Sequence, residues 1–111
     1  MAFGTVQQAI RDIRDGKFVV VADDEDRENE GDLVCAAELV TPEMVNFMLR
    51  AKGMICVALP PERVSHLGLG MQARDNTEAM KTAFTVSIDG APAYGVTTGI
   101  SASDRATTIR I

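Results

Sequence analysis

An α+β fold, a mixed sheet with helices packed on it, is what this sequence predicts. Three observations carry that expectation: an apolar helical period from Val6 to Ile13, a continuously apolar β-branched run from Lys17 to Ala22, and hydroxyl-led helix starts at Thr41 and Ser101. At 111 residues the chain fits one domain, long enough to bury well over half of the surface its unfolded form exposes.

Val6, Ala9, Ile10 and Ile13 follow the i, i+3, i+4, i+7 spacing of an amphipathic helix over residues 5–14, and Asp15-Gly16 supplies its stop. Lys17–Ala22 reads as a strand covered on both faces, because it has no polar alternation. Asp32–Ala37 reads as a second strand, and the charged residues between the two form a loop. Thr41-Pro42-Glu43 combines a capping hydroxyl, a proline with no N–H to lose in the first turn and a carboxylate at the positive helix end. Val45, Met48 and Leu49 face inward until Lys52-Gly53 ends that helix.

Met54–Leu59 is expected to be a third strand, stopped by Pro60-Pro61, with a short helix over 62–67 after it. Thr82–Ile88 alternates as a half-buried strand does, and Asp89–Ala93 is turn material. Ser101 with Asp104 three residues on marks the last helix start, through Arg105, Ala106 and Ile109 to Ile111. That final helix, about three turns with no stop signal and no evident partner for its apolar residues, reads as the interior of a domain that continues.

Composition removes several function classes. The net charge is −5 and the eleven basic residues are scattered, so no clustered surface for nucleic acid is expected. No apolar stretch approaches the roughly 20 residues of a membrane helix, and the N-terminus lacks a basic-then-apolar signal pattern. The chain is expected to be cytoplasmic. Cys35 and Cys56 stand in apolar segments without metal-ligand spacing and are expected to be reduced and buried, while Met71, Met80 and the other methionines read as core filler. His66 reads as a surface or helix-end residue.

The run Asp23-Asp-Glu-Asp-Arg-Glu-Asn-Glu-Gly-Asp32 holds seven carboxylates, one guanidinium and one glycine. Like charges held a few Å apart oppose one another's ionisation, so a cation or arginine must relieve them. Hard oxygen donors of this kind suit Mg²⁺ or Mn²⁺, which take one or two protein carboxylates and complete their shell with water and substrate oxygens. An EF-hand is excluded: Asp26, Glu28, Glu30 and Gly31 imitate its early positions, but the bidentate glutamate would fall on Ala37, and strands flank the loop. A solvated turn is the other rival, and it has no need of the order Arg-Glu-Asn-Glu-Gly-Asp. Glu30 and Asp32 are candidates for proton transfer. Thr97, Thr98 and Gly99, ahead of a capped helix, make a candidate cradle for a phosphate.

Together with Ala37-Glu38, Gly53-Met-Ile-Cys56, Asp75-Asn-Thr77, Thr82-Ala-Phe-Thr85 and Gly95-Val-Thr-Thr-Gly-Ile-Ser-Ala-Ser-Asp-Arg105, that run resembles the 3,4-dihydroxy-2-butanone 4-phosphate synthases of riboflavin biosynthesis, including the form fused to GTP cyclohydrolase II. The resemblance covers essentially the whole chain in order. It implies a lyase that takes D-ribulose 5-phosphate through an enediol, dehydration and skeletal rearrangement to the four-carbon phosphate and formate, with Mg²⁺ or Mn²⁺ as cofactor. It implies that Glu28 binds the metal, that Arg27, Glu28 and Asp32 contact substrate, and that the active site lies at a homodimer interface. Glu28, Glu30 and Asp32 are thus the catalytic candidates, with Cys56 either facing the same pocket or serving as a core thiol. The family also carries, in a further stretch of about a hundred residues, a Gly-His-Thr segment whose histidine is a second metal ligand. Residues 1–111 thus read as the N-terminal portion of a single synthase domain, with little activity alone. A non-catalytic metal-binding, sugar-phosphate-binding or dimerising relative is the alternative.

Overall fold

The computed structural model describes residues 2–111, which divide into two compact units: one runs to Ile55 and resumes over Gly90–Ile111, and the other is Cys56–Asp89. The first unit contains helix α1 (Val6–Arg14), strands β1 (Val19–Ala22) and β2 (Gly31–Val34), helix α2 (Pro42–Arg50) and, after the break, helix α4 (Ala102–Arg110). The second contains helix α3 (Pro61–His66). The α+β class is as expected.

Local chemistry places these elements. Thr5 caps α1: its hydroxyl accepts the Gln8 N–H at 3.2 Å while the Gln8 side chain accepts the Thr5 N–H at 2.9 Å, so two otherwise orphaned donors are satisfied reciprocally. Thr41 caps α2 by accepting the Met44 N–H at 3.2 Å, with Pro42 in the first turn. Gly16, at φ +75°, turns the chain out of α1 in the left-handed conformation that favours glycine. The chain then enters β1, which pairs antiparallel with β2 in the register Val19↔Val34, Val20↔Leu33, Val21↔Asp32 and Ala22↔Gly31. A 3₁₀ turn over Ala37–Leu39 ends the path of β2 and leads to α2.

The core of this unit lies where α2 meets α4. Val40, Val45 and Ala106 are fully buried, with Cys35, Met44, Met48, Ile55, Ala102 and Ile109 packed around them. The Arg110 guanidinium donates to the Val40 carbonyl at 3.0 Å and so ties the end of α4 to the chain entering α2. Val96 is buried too.

In the second unit α3 starts at Pro61 and His66 is its last residue, exposed at a helix end as the sequence predicts. The following chain folds back once: Met71 bridges Thr85 antiparallel, the Gln72 N–H donates to Phe84 and the Val86 N–H to Gly70, each at 2.9 Å. Between them Glu78 organises a compact loop, its carboxylate accepting the N–H groups of Met80 at 2.8 Å and Thr82 at 3.1 Å. Those donors, the Met80 N–H foremost, hold the Glu78 carboxyl below the usual carboxylate range.

Several expectations are corrected. Met54–Leu59 forms no strand, and Thr82–Ile88 contributes only the one bridge. The β-branched run keeps its strand character over Val19–Ala22 but is not covered on both faces, since Val20 is 67% and Val21 49% exposed. Cys56 is exposed rather than buried, and Cys35 is half-buried, its thiol pushed up by burial. Met71 and Met80 lie at the surface instead of filling a core. The physical reason is common to all: apolar spacing records what a segment is suited to bury, and burial needs a second layer that no local pattern supplies.

Candidate metal and substrate loop

The β1–β2 connection carries the acidic run, and its first carboxylate holds it in shape. Asp23, directly after β1, accepts the Glu30 N–H at 2.7 Å on one carboxylate oxygen and the Glu28 N–H at 2.9 Å on the other. Its own N–H donates to the Glu30 carbonyl at 3.2 Å, and the Arg27 N–H donates to Asp24 at 3.0 Å, closing a turn inside the loop. Asn29 reverses the chain at φ +50°, a left-handed conformation that asparagine tolerates better than most residues. The Glu30 N–H above all, helped by the Glu28 N–H and the nearby Arg27 charge, holds the Asp23 carboxyl below the usual carboxylate range. Gly31 then re-enters the sheet where a Cβ would come within 3.2 Å of Val20 Cγ1.

The rest of the run is left available. The side chains of Arg27, Glu28, Glu30 and Asp32 are exposed, and among the described residues they make no hydrogen bond or ion pair. Arg27 acts on Asp23 through its nearby charge alone, with no ion-pair contact among the described residues. Asp32 sits on β2 opposite Val21, so the ladder fixes its backbone, whereas Glu28 and Glu30 are placed through their N–H groups by Asp23. Among the described residues no three His, Cys, Asp or Glu side chains converge as a metal cage. That donor set fits Mg²⁺, which needs only one or two protein carboxylates and keeps several waters; it does not fit a structural zinc.

The second predicted feature, Thr97-Thr98-Gly99, is organised from within the chain. Asp104 is 6% exposed. One of its oxygens accepts the Thr97 hydroxyl at 2.8 Å, the Gly99 N–H at 3.0 Å and the Thr97 N–H at 3.2 Å. The Thr97 hydroxyl is the main reason its carboxyl is held below the usual range. Ser101 caps α4 by accepting the Asp104 N–H at 3.0 Å, so only half of the expected capping box forms. The N–H groups of Thr97 and Gly99 already face a carboxylate, and Thr98 is exposed with its hydroxyl uncommitted. Cys56, the remaining candidate, is exposed in the other unit.

Sequence reasoning missed the tasks of Asp23 and Asp104. Both had a signal: an aspartate placed where a strand ends, and one at the third position of a capped helix preceded by a Gly-containing turn.

The family profile of 3,4-dihydroxy-2-butanone 4-phosphate synthase matches residues 7–111. The chain belongs to this family. It is 50% identical to the 3,4-dihydroxy-2-butanone 4-phosphate synthase of Agrobacterium fabrum over 111 residues, covering 99% of this chain and 51% of that protein. Against the riboflavin biosynthesis protein RibBA of Synechocystis it is 56% identical over 110 residues, 98% of this chain and 20% of that one. A solved 3,4-dihydroxy-2-butanone 4-phosphate synthase in complex with two magnesium ions superposes with a TM-score of 0.90 at 46% identity, over 97% of this chain and 50% of that one. The chain thus spans about half the length of these synthases and about a fifth of the Synechocystis protein. Among the described residues no helix is long and apolar enough to cross a membrane.

Proposed function

We propose that the chain forms part of a Mg²⁺-dependent, homodimeric cytoplasmic lyase that converts D-ribulose 5-phosphate to 3,4-dihydroxy-2-butanone 4-phosphate and formate. Glu28 holds the metal, Arg27 and Asp32 orient the sugar phosphate, Glu30 and Asp32 carry protons, and Cys56 and the Thr97-Thr98 turn complete the substrate's surroundings. Mn²⁺ serves as a substitute cation. The observation that carries this reading is the division of labour in the acidic loop, where Asp23 spends its carboxylate on the backbone and thereby leaves Arg27, Glu28, Glu30 and Asp32 unengaged.

A divalent cation bound at Glu28 supplies stabilisation of negative charge developing on the substrate's oxygens. The chain's own groups do the rest. Arg27, always protonated, attracts the dianionic substrate and presents planar donors to an oxyanion. Glu30 and Asp32, within four residues of Glu28, are positioned for proton transfer to and from carbon-bound hydroxyls. Thr98 offers the free hydroxyl of its turn. The 111 residues alone are expected to turn over very little substrate, because Glu28 is the only metal ligand assigned on them.

Titration with Mn²⁺, read by paramagnetic broadening of backbone amides, tests the assignment. Resonances of Glu28 and its loop neighbours should broaden first, and Glu28→Gln should weaken binding at least about tenfold, the scale on which even indirect partners of a metal matter. Broadening centred elsewhere, or unchanged affinity in the variant, sinks the assignment.

A further inference from the structure

We infer that Asp104 closes the Thr97-Thr98-Gly99 turn to phosphate, so that the turn presents the neutral Thr98 hydroxyl and takes a hydroxyl of the sugar rather than its charged end. The assignment to a sugar hydroxyl rests on the reading of the chain as part of a sugar-phosphate lyase, whereas the exclusion of phosphate rests on the turn alone.

The backbone here has the make-up of an anion nest. Gly99 takes the left-handed conformation at φ +81°, and Ser101 then caps α4. Successive N–H groups around such a residue turn inward into a concavity that attracts anions, and the positive end of the helix adds to it. Phosphate is an ordinary occupant of such a place. In this chain the occupant is internal. One oxygen of the buried Asp104 accepts the Gly99 N–H at 3.0 Å, the Thr97 N–H at 3.2 Å and the Thr97 hydroxyl at 2.8 Å. The Thr98 N–H joins these donors in favouring the charged carboxyl.

An incoming phosphate therefore finds the donors that would hold it already spent. Asp104 stands on the first turn of α4, between the cap Ser101 and the fully buried Ala106, which fixes its backbone. A dianion approaching the same amides meets that fixed negative charge, and a buried charge is little screened by salt. The next side chain along α4, Arg105, is turned to the Ile100 carbonyl, to which its Nε donates at 2.9 Å. What the turn still offers is the Thr98 side chain, exposed and uncommitted among the described residues. Its hydroxyl both donates and accepts, which matches an uncharged sugar hydroxyl. The phosphate of the substrate is held by groups outside this turn, and Thr98 faces the hydroxyl-bearing carbons.

Inorganic phosphate titrated into the isotopically labelled chain at millimolar concentration should leave the Thr97 and Gly99 amide resonances unmoved. Asp104→Ala vacates the nest. The same titration should then shift those amides saturably, with phosphate bound at least about tenfold more tightly than by the parent and part of the variant's lost melting temperature regained. Asp104→Asn, which keeps one acceptor oxygen without the charge, should bind phosphate with an affinity between the two, and it serves where Asp104→Ala does not fold. Saturable movement of Thr97 and Gly99 in the parent, or phosphate bound no more tightly by the folded variants, overturns the exclusion. In a synthase of full length, Thr98→Val should raise the inhibition constant of unphosphorylated D-ribulose and leave that of inorganic phosphate unchanged. A rise for phosphate, or none for D-ribulose, overturns the assignment of Thr98. Mn²⁺ broadening at Glu28 is read separately, so its failure sinks the metal reading and leaves the phosphate result standing.

Discussion

Asp23 and Glu30 are joined twice: the Glu30 N–H donates to the Asp23 carboxylate at 2.7 Å, and the Asp23 N–H donates to the Glu30 carbonyl at 3.2 Å. This reciprocal pair closes the base of the acidic loop just beyond the last ladder pair, Ala22↔Gly31. The loop's shape therefore depends on the one carboxylate of the run that faces backbone rather than solvent.

Asp23→Ala is expected to free the Glu28 and Glu30 amides. Their hydrogen exchange should accelerate strongly while amides at the α2–α4 core stay protected, and Mn²⁺ affinity should fall although no proposed ligand is removed. Asp23→Asn, which keeps one acceptor oxygen, should fall between the variant and the parent. Unchanged exchange at Glu28 in Asp23→Ala would show that the loop holds its form without this carboxylate.

How much of this was legible beforehand depends on how far each feature reaches. Helix starts are local events, and Thr41-Pro42 and Ser101 were readable because the capping group lies within three residues of its partner. The hairpin was readable because β-branched segments bracket a loop too charged to be sheet. The strands expected at Met54–Leu59 and Thr82–Ile88 were not found, since a strand exists only through a ladder partner and sequence spacing does not supply one. The candidate residues stood out by their chemistry, whereas the two aspartates that organise the acidic loop and the threonine turn did not. A carboxylate that binds backbone and one that awaits a cation are the same letter.

Acid should loosen the fold at a definite place. Asp104 is buried and its carboxyl lies below the usual range because the Thr97 hydroxyl and the Gly99 and Thr97 N–H groups favour its charged form. A carboxylate depressed in the folded state contributes stability that is complete above the unfolded value of about 3.9 and is lost as pH falls through the lower folded value. Asp23 and Glu78 are shifted in the same direction. The melting temperature should thus hold down to about pH 4 and drop below it. In Asp104→Asn the parent should lose its advantage as the pH falls, so the two melting curves converge. A constant difference from pH 7 to pH 2 would assign the variant's effect to shape rather than charge.

The two threonines of the turn should separate cleanly. Thr97 gives both its hydroxyl and its N–H to Asp104, whereas the Thr98 hydroxyl is free at the surface. Thr97→Ala should lower the melting temperature and release the Gly99 amide to exchange. Thr98→Ala should leave stability within about 0.5 kcal/mol, as surface changes do, and in a synthase of full length should raise KM for the sugar phosphate. A destabilised Thr98→Ala with an intact Thr97→Ala would invert the assignment.

Gly90 tests the packing beneath the last helix, because its role is steric rather than conformational. A Cβ at this position would lie 2.8 Å from Ile111 Cδ1, 2.9 Å from Val96 Cγ2 and 3.3 Å from Thr108 Oγ1, and its N–H already donates to Thr108 at 2.9 Å. Three neighbours on two sides cannot all yield: Val96 is buried, and Thr108 is fixed by the hydrogen bond it accepts. Gly90→Ala should therefore cost about 1–3 kcal/mol, the range for an added methyl group in a filled site, despite alanine's smaller loss of backbone entropy. Adding Val96→Ala to that variant should restore much of the loss by removing the closer of the two rigid contacts, which a purely conformational effect at residue 90 would not allow. Chemical denaturation of the single and double variants measures both, and a Gly90→Ala chain as stable as the parent would mean that α4 shifts to admit the methyl group.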